Sequence, residues 1–245
     1  MAERGEDLQT EALRAFTLLS ALRQDWGGAL LVACGLGPGG AALSIAGNIA
    51  GAGCLAIDPR AEICRAAMRS GACDFVVNSV DEALRVLKNE IRQRRPVSVG
   101  LTLDARAALA ELSDRGVLPE LFTAFLGEAN AAYVQAACQG GAHAFAALGT
   151  AVGDFDGSLA SLENVIDAPA RLEGFVRDRG LRLESFAFAS AEELRDFDAR
   201  LVEIIPATDP RQGWCAAASR FFHRERPLRR VVYLTHDERD SVAQV

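Results

Sequence analysis

The chain has 245 residues, half of them hydrophobic, few aromatics, and 33 acidic against 26 basic side chains for a formal charge of −7. That acidity argues against nucleic acid as the main partner, because phosphate binding calls for a basic surface. No apolar run reaches membrane-spanning length, and the first residues lack a signal peptide's apolar core, so a cytoplasmic, membrane-free protein is expected.

Residues 7–25 place Leu8, Leu13, Phe16, Leu19 and Leu22 at helical spacing. A strand follows at 29–34 and runs into Gly35-Leu36-Gly37-Pro38-Gly39-Gly40, then an Ala/Gly-rich helix to about Gly51. A second apolar strand at 54–57 ends on Asp58. A helix through Met68 stops at Gly71, a short strand covers 74–78, and Asp81 is expected to cap the helix that Pro96 ends. Strand 97–102, a helix from Asp104 to Gly116 and strand 120–123 complete the first half. Strands alternating with helices in this way predict an α/β, doubly wound, mainly parallel Rossmann-like sheet.

Beyond Asn130 the pattern continues with a helix around 133–139, an apolar run at 142–148, and a glycine- and acid-rich excursion at 150–169. Helices at 170–179, 191–205 and 210–223 and strands at 181–188 and 230–235 follow. No repeat or linker divides the chain, so one domain is expected, with a dinucleotide-binding half at 1–130 and an elaborated C-terminal half at 131–245.

The glycine turn between strand and helix has a specific chemistry. Gly35 permits the tight turn, Gly37 the approach of backbone to pyrophosphate, and Gly40 close helix–strand packing. The helix start offers free N–H groups and a positive dipole end, although Pro38 removes one donor. Asp58 falls where a carboxylate accepts ribose hydroxyls, which favours NAD over NADP.

Six cysteines show no paired spacing and read as small buried hydrophobes, and three scattered histidines have no ligand spacing, so no metal is expected. His143 reads as a structural histidine at a strand start, and Asp154 and Asp156 as solvated loop residues. Glu192, Glu193, Arg195 and Arg200 read as a solvated helix face, and Arg92–Arg95 and Arg224–Arg230 as solvated helix ends. Trp214, Phe221 and Phe222 read as core; if exposed instead, they would form an interaction patch.

Taken together, the segments resemble the central NAD-binding domain of the urocanase (urocanate hydratase) family. The loop Gly35–Ala41 is similar, without a gap, to the family's Gly-Leu-Gly-Gly-Met-Gly-Gly. Ala56-Ile57-Asp58 resembles its acidic strand end, Ser98–Ala105 its Ser-Val-Gly-Leu-Leu-Gly-Asn-Ala element, and Arg115–Glu120 its Arg-Gly-Val-x-Pro-Asp segment. More loosely, Tyr133–Phe145 and Phe221–Thr235 are similar to later segments of the domain.

The resemblance implies that Pro38, Gly39, Gly40, Asp58, Asp104 and Ala105 occupy cofactor positions. Asp104 stands where the family has asparagine and would repel a diphosphate. The family's polar cofactor stretch falls on Phe125–Ala129, its Tyr-Gly-Asn-Asn turn on Ala147–Thr150, and its arginine after the acid on Ile63, with Arg60 or Arg65 able to approach instead. The flanks of the family's catalytic core, including its catalytic cysteine, are not matched, so no cysteine here inherits that role. The expectation is a free-standing NAD-binding domain, not catalytic alone, serving a split urocanate hydratase-like enzyme or acting as a sensor. A separately encoded urocanase-type core or self-association into a homo-oligomer would cover its surface. A relative without NAD that serves interaction, and a lyase acting on a related small acid, are the other readings.

Overall fold

A computed structural model describes residues 7–124, 131–146 and 165–243. Helix α1 (Leu8–Leu22) opens the described chain, with Asp7 accepting the Gln9 N–H as its cap. Strand β1 (Leu30–Cys34), helix α2 (Pro38–Ala50), strand β2 (Gly53–Ile57) and helix α3 (Ala61–Arg69) follow. Then come β3 (Phe75–Val77), α4 (Val80–Arg92), β4 (Val97–Leu101), α5 (Ala105–Asp114), β5 (Leu121–Ala124), α6 (Ala131–Gln139), β6 (His143–Ala146) and β7 (Val165–Asp167). The C-terminal elements are α7 (Ala168–Asp178), β8 (Arg182–Ala187), α8 (Ala191–Ile204), α9 (Arg211–Phe222), β9 (Arg229–Leu234) and α10 (His236–Ala243).

Among the described residues, the main sheet has seven strands in the order β3-β4-β2-β1-β5-β6-β7, every neighbouring pair parallel. Its register sets Leu31 beside Cys54 on one side and Leu121 on the other. The chain leaves β1 toward β2 and later returns to β1's free side as β5. The crevice at the carboxyl ends of β1 and β5 is therefore the topological switch point, where ligands of such sheets bind.

Helices cover both faces, as a parallel sheet requires. Leu31, Ala33, Cys54 and Ala56 belong to one apolar cluster with residues of α1, α2, α3, α8 and α9; Leu30, Val32, Cys34, Leu55 and Ile57 belong to the other, with residues of α4, α5 and α6. This is period-two alternation with both faces apolar, hence the continuous hydrophobic runs in the sequence. The small residues of α2 let it lie close to β1 and β2 while α1 and α9 cover it from outside. A Cβ on Gly47 would overlap Cys54 Sγ, so α2 makes a close helix–strand approach at Gly47.

Strands β8 and β9 form a separate antiparallel ribbon, Leu183 opposite Tyr233, and do not extend the parallel sheet. Gln9 of α1 ties the ribbon to the rest by accepting the Val231 N–H at 2.7 Å. Phe16, Trp214, Phe222 and Val231 share one apolar cluster with α2, so Trp214 and Phe222 are core and Phe221 packs half-buried beside them. Several local expectations shift. Ser79, not Asp81, caps α4, accepting the Glu82 N–H. The end of the 150–169 excursion is ordered as β7 and the start of α7, capped by Asp167; positions 150–164, with Asp154 and Asp156, lie outside the described residues. Arg230 is not a solvated helix end but a fully buried strand residue.

Candidate functional site

The glycine turn is held by bonds between strand ends. Gly35, at φ +102°, is in the left-handed region that favours glycine, and its N–H donates to Ile57 O at 2.6 Å. The next strand end is joined in turn, the Asp58 N–H donating to Leu101 O at 3.0 Å. The ends of β1, β2 and β4 thus form one continuous edge.

Gly37 is the N-cap of α2, and among the described residues no side chain caps that helix. An added Cβ at Gly37 would meet nothing within 4 Å, so the backbone there faces open space. The Ala41 N–H donates to Gly37 O, which starts the helical ladder. The N–H groups of Gly39 and Gly40, inside the first turn, have no carbonyl four residues back within the helix. Pro38 occupies the first helical position, where its fixed φ suits the helix and the absent N–H is one the helix itself does not use. The result is an uncapped, positively polarised helix start beside the crevice.

Asp58 closes β2 with its side chain fully buried. Its Oδ2 accepts the Leu36 N–H at 2.9 Å and Arg60 Nη2 at 2.8 Å, while Oδ1 accepts the Arg60 backbone N–H at 3.0 Å and Arg60 Nε at 2.9 Å. Burial alone would raise its carboxyl pKa, but the bonds from Arg60 and Leu36 hold it below the usual carboxylate value. The acid therefore pins the glycine loop on one side and the guanidinium of Arg60 on the other. Arg60, the N-cap of α3, keeps its side chain 44 % exposed.

Residues 10–128 match the family model of the urocanase Rossmann-like domain. This stretch is a urocanase Rossmann-like domain. The match runs from the first turn of α1 past the end of β5, so α1 belongs to the family's unit, while β6 to α10 lie beyond it. Dinucleotide binding is what a urocanase Rossmann-like domain suggests.

Within the urocanase-like domain, Gly35, Gly37, Pro38, Gly39, Gly40 and Asp58 lie together at the switch point. Asp104 joins that edge: it caps α5 by accepting the Ala107 N–H at 3.0 Å, and Ala105 is the first helical residue. Burial first, and then the charge of Asp104, push the Cys34 thiol at the end of β1 up to about 12. Asp104 is thus a helix cap as well as an anion at the crevice. Phe125–Ala129 and Ala147–Thr150 lie outside the described residues.

Other candidates fall away from the crevice. His143 opens β6 at the opposite edge of the sheet, its backbone N–H donating to Glu120 O. Burial and the charge of Arg171 lower its pKa, and its Nδ1 has no hydrogen-bond partner among the described residues. All six cysteines are buried and raised in pKa, with Cys54 and Cys215 at about 12 through burial, so they are small hydrophobes and not thiolate nucleophiles. Among the described residues, no group of three or more His, Cys, Asp or Glu is placed to hold a metal, and no helix is long and apolar enough to cross a membrane.

Two features of the site are faint in the sequence. The Leu36 amide is a ligand of Asp58, and no side-chain pattern reports a backbone donor. Arg60 was visible as a cation near the acid, but its two-bond clasp depends on the backbone bend at Pro59.

Proposed function

We propose that the chain binds a nicotinamide adenine dinucleotide, of the NAD class that urocanases use, with its diphosphate on the amides of Gly37, Gly39 and Gly40. The open backbone at Gly37, beside an uncapped helix start at the switch point of a urocanase Rossmann-like domain, carries this reading. The open amides at the start of α2 fit the diphosphate of such a group, with Asp104 as one opposing charge at the same edge. The ribose end does not offer a free carboxylate, because Asp58 is already fully bonded.

We further propose that the chain is a cofactor-holding unit that is not catalytic by itself and acts with a separately encoded urocanase-type core. The high-pKa buried thiols support this, since none is placed or ionised to attack a substrate. A bound dinucleotide would supply an electrophilic nicotinamide; this chain's own groups bind, orient and hold the charge of the diphosphate.

Native mass spectrometry and equilibrium dialysis against NAD and NADP test the binding half. One dinucleotide per chain, retained or saturable, is expected. Urocanate consumption, followed by ultraviolet absorbance, is expected only when the core polypeptide is added. Turnover by this chain alone would overturn the second half.

A further inference from the structure

A ribose hydroxyl needs an acceptor with a spare lone-pair direction. An ionised carboxylate offers about four, and Asp58 accepts four bonds, from the Leu36 N–H, the Arg60 N–H, Arg60 Nε and Arg60 Nη2. Its side chain has no exposed surface. A 2′-hydroxyl would have to displace a charge-assisted bond for an ordinary one, which is unfavourable.

The exposed group at the end of β2 is instead the guanidinium. Arg60 spends Nε and one Nη2 hydrogen on Asp58, and its Nη1 bonds to nothing among the described residues. Three of its five N–H groups therefore remain for a ligand, in one plane and held by the clasp below. This is the place where such folds distinguish a ribose 2′-hydroxyl, taken by an acid, from a 2′-phosphate, taken by an arginine. The surrounding charge is not positive. Asp58 offsets Arg60, Glu62 in the first turn of α3 adds a negative charge beside it, and Asp104 is a further anion at the crevice. Selection would come from the fixed guanidinium donors and not from a general positive field.

We infer that Arg60, and not Asp58, meets the adenosine ribose, that Asp58 is a positioning residue for Arg60 and the glycine loop, and that the cleft prefers a 2′-phosphorylated dinucleotide. This reverses the preference expected from Asp58 alone, and it rests on the dinucleotide reading above.

The test is calorimetric titration of the full chain with NADP and with NAD, in wild type, Arg60→Ala and Arg60→Lys, with folding checked by circular dichroism. Wild type should bind NADP about tenfold more tightly than NAD, the worth of one good charge-assisted contact. Arg60→Ala should bring the two within about twofold, and Arg60→Lys should restore part of the gap, because lysine keeps the charge without the fork. Should Arg60→Ala fail to fold, wild type against Arg60→Lys still decides. Saturable binding of both with NAD equal or tighter in wild type overturns the role of Arg60 and leaves the dinucleotide reading standing. Saturable binding of neither removes that reading and this inference together.

Discussion

Arg230 of β9 lies fully buried against Asp198 of α8, its Nε and Nη2 donating to the two carboxylate oxygens at 2.6 and 2.7 Å. Gln9 of α1 reaches the same guanidinium and the next backbone amide, so the pair joins three elements that are far apart in sequence. Removing one partner would strand a buried charge. Asp198→Ala should cost about 3–5 kcal/mol, measured by urea unfolding. The double variant Asp198→Leu with Arg230→Met should be distinctly milder, because no unpaired charge remains. Equal losses in the two variants would mean that the ion pair is not what the fold depends on there.

Gly47 sets how closely α2 lies on the sheet. A methyl there would overlap Cys54 Sγ and stand 3.2 Å from Leu31 Cδ2. Gly47→Ala should destabilise by about 1–3 kcal/mol as the helix is pushed outward. Adding Cys54→Ala should return part of that loss by removing the sulfur. A neutral Gly47→Ala in denaturant unfolding would contradict this packing.

Acid should weaken the fold through carboxylates held ionised by arginine. Burial opposes ionisation of Asp58 and Asp209, but Arg60 with Leu36, and Arg211 respectively, depress both pKa values from the usual 3.8. A depressed folded-state pKa gives stability that is present above the unfolded value and lost as pH falls through the folded one. The urea midpoint should therefore hold from neutral pH down to about 5 and decline below about 4. Asp209→Asn, which weakens the clasp on buried Arg211, should lower the midpoint at neutral pH and flatten the acid decline. An unchanged midpoint at pH 3 would count against the scheme.

The thiols give a direct accessibility test. All six cysteines are buried and their thiols are pushed upward by burial. Ellman's reagent at pH 8 should find essentially none in the folded protein and six after denaturation. A rapidly reacting native thiol would reopen the question of a nucleophile in this chain.

The first half of the fold was legible because its signals are local. Apolar runs at β1, β2 and β4, the glycine turn, and caps such as Asp104 are each written within a few residues. The pairing of β8 with β9 was not, because it joins Leu183 to Tyr233 across two helices and nothing local says which sheet a strand enters. Arg230 misled for the same reason. It sits in an arginine-rich stretch, yet alternation along β9 turns it inward to Asp198. Helix α10 has little apolar period and is held by Glu238, which takes two bonds from Arg211 and caps its own start at Thr235. At the site, the glycine turn and the acid were readable from spacing. That the acid is spent on Arg60 and the Leu36 amide was not, since hydrogen-bond saturation is a property of three-dimensional neighbours.

The central claim is a diphosphate seated on the helix start after β1, and an amide-resolved NMR titration with dinucleotide tests it most directly. Saturable shifts should centre on the amides of Leu36, Gly37, Gly39 and Gly40, with smaller ones at Arg60 and Ala105. A titration that leaves those amides unmoved at millimolar dinucleotide, or moves amides elsewhere instead, would contradict the account.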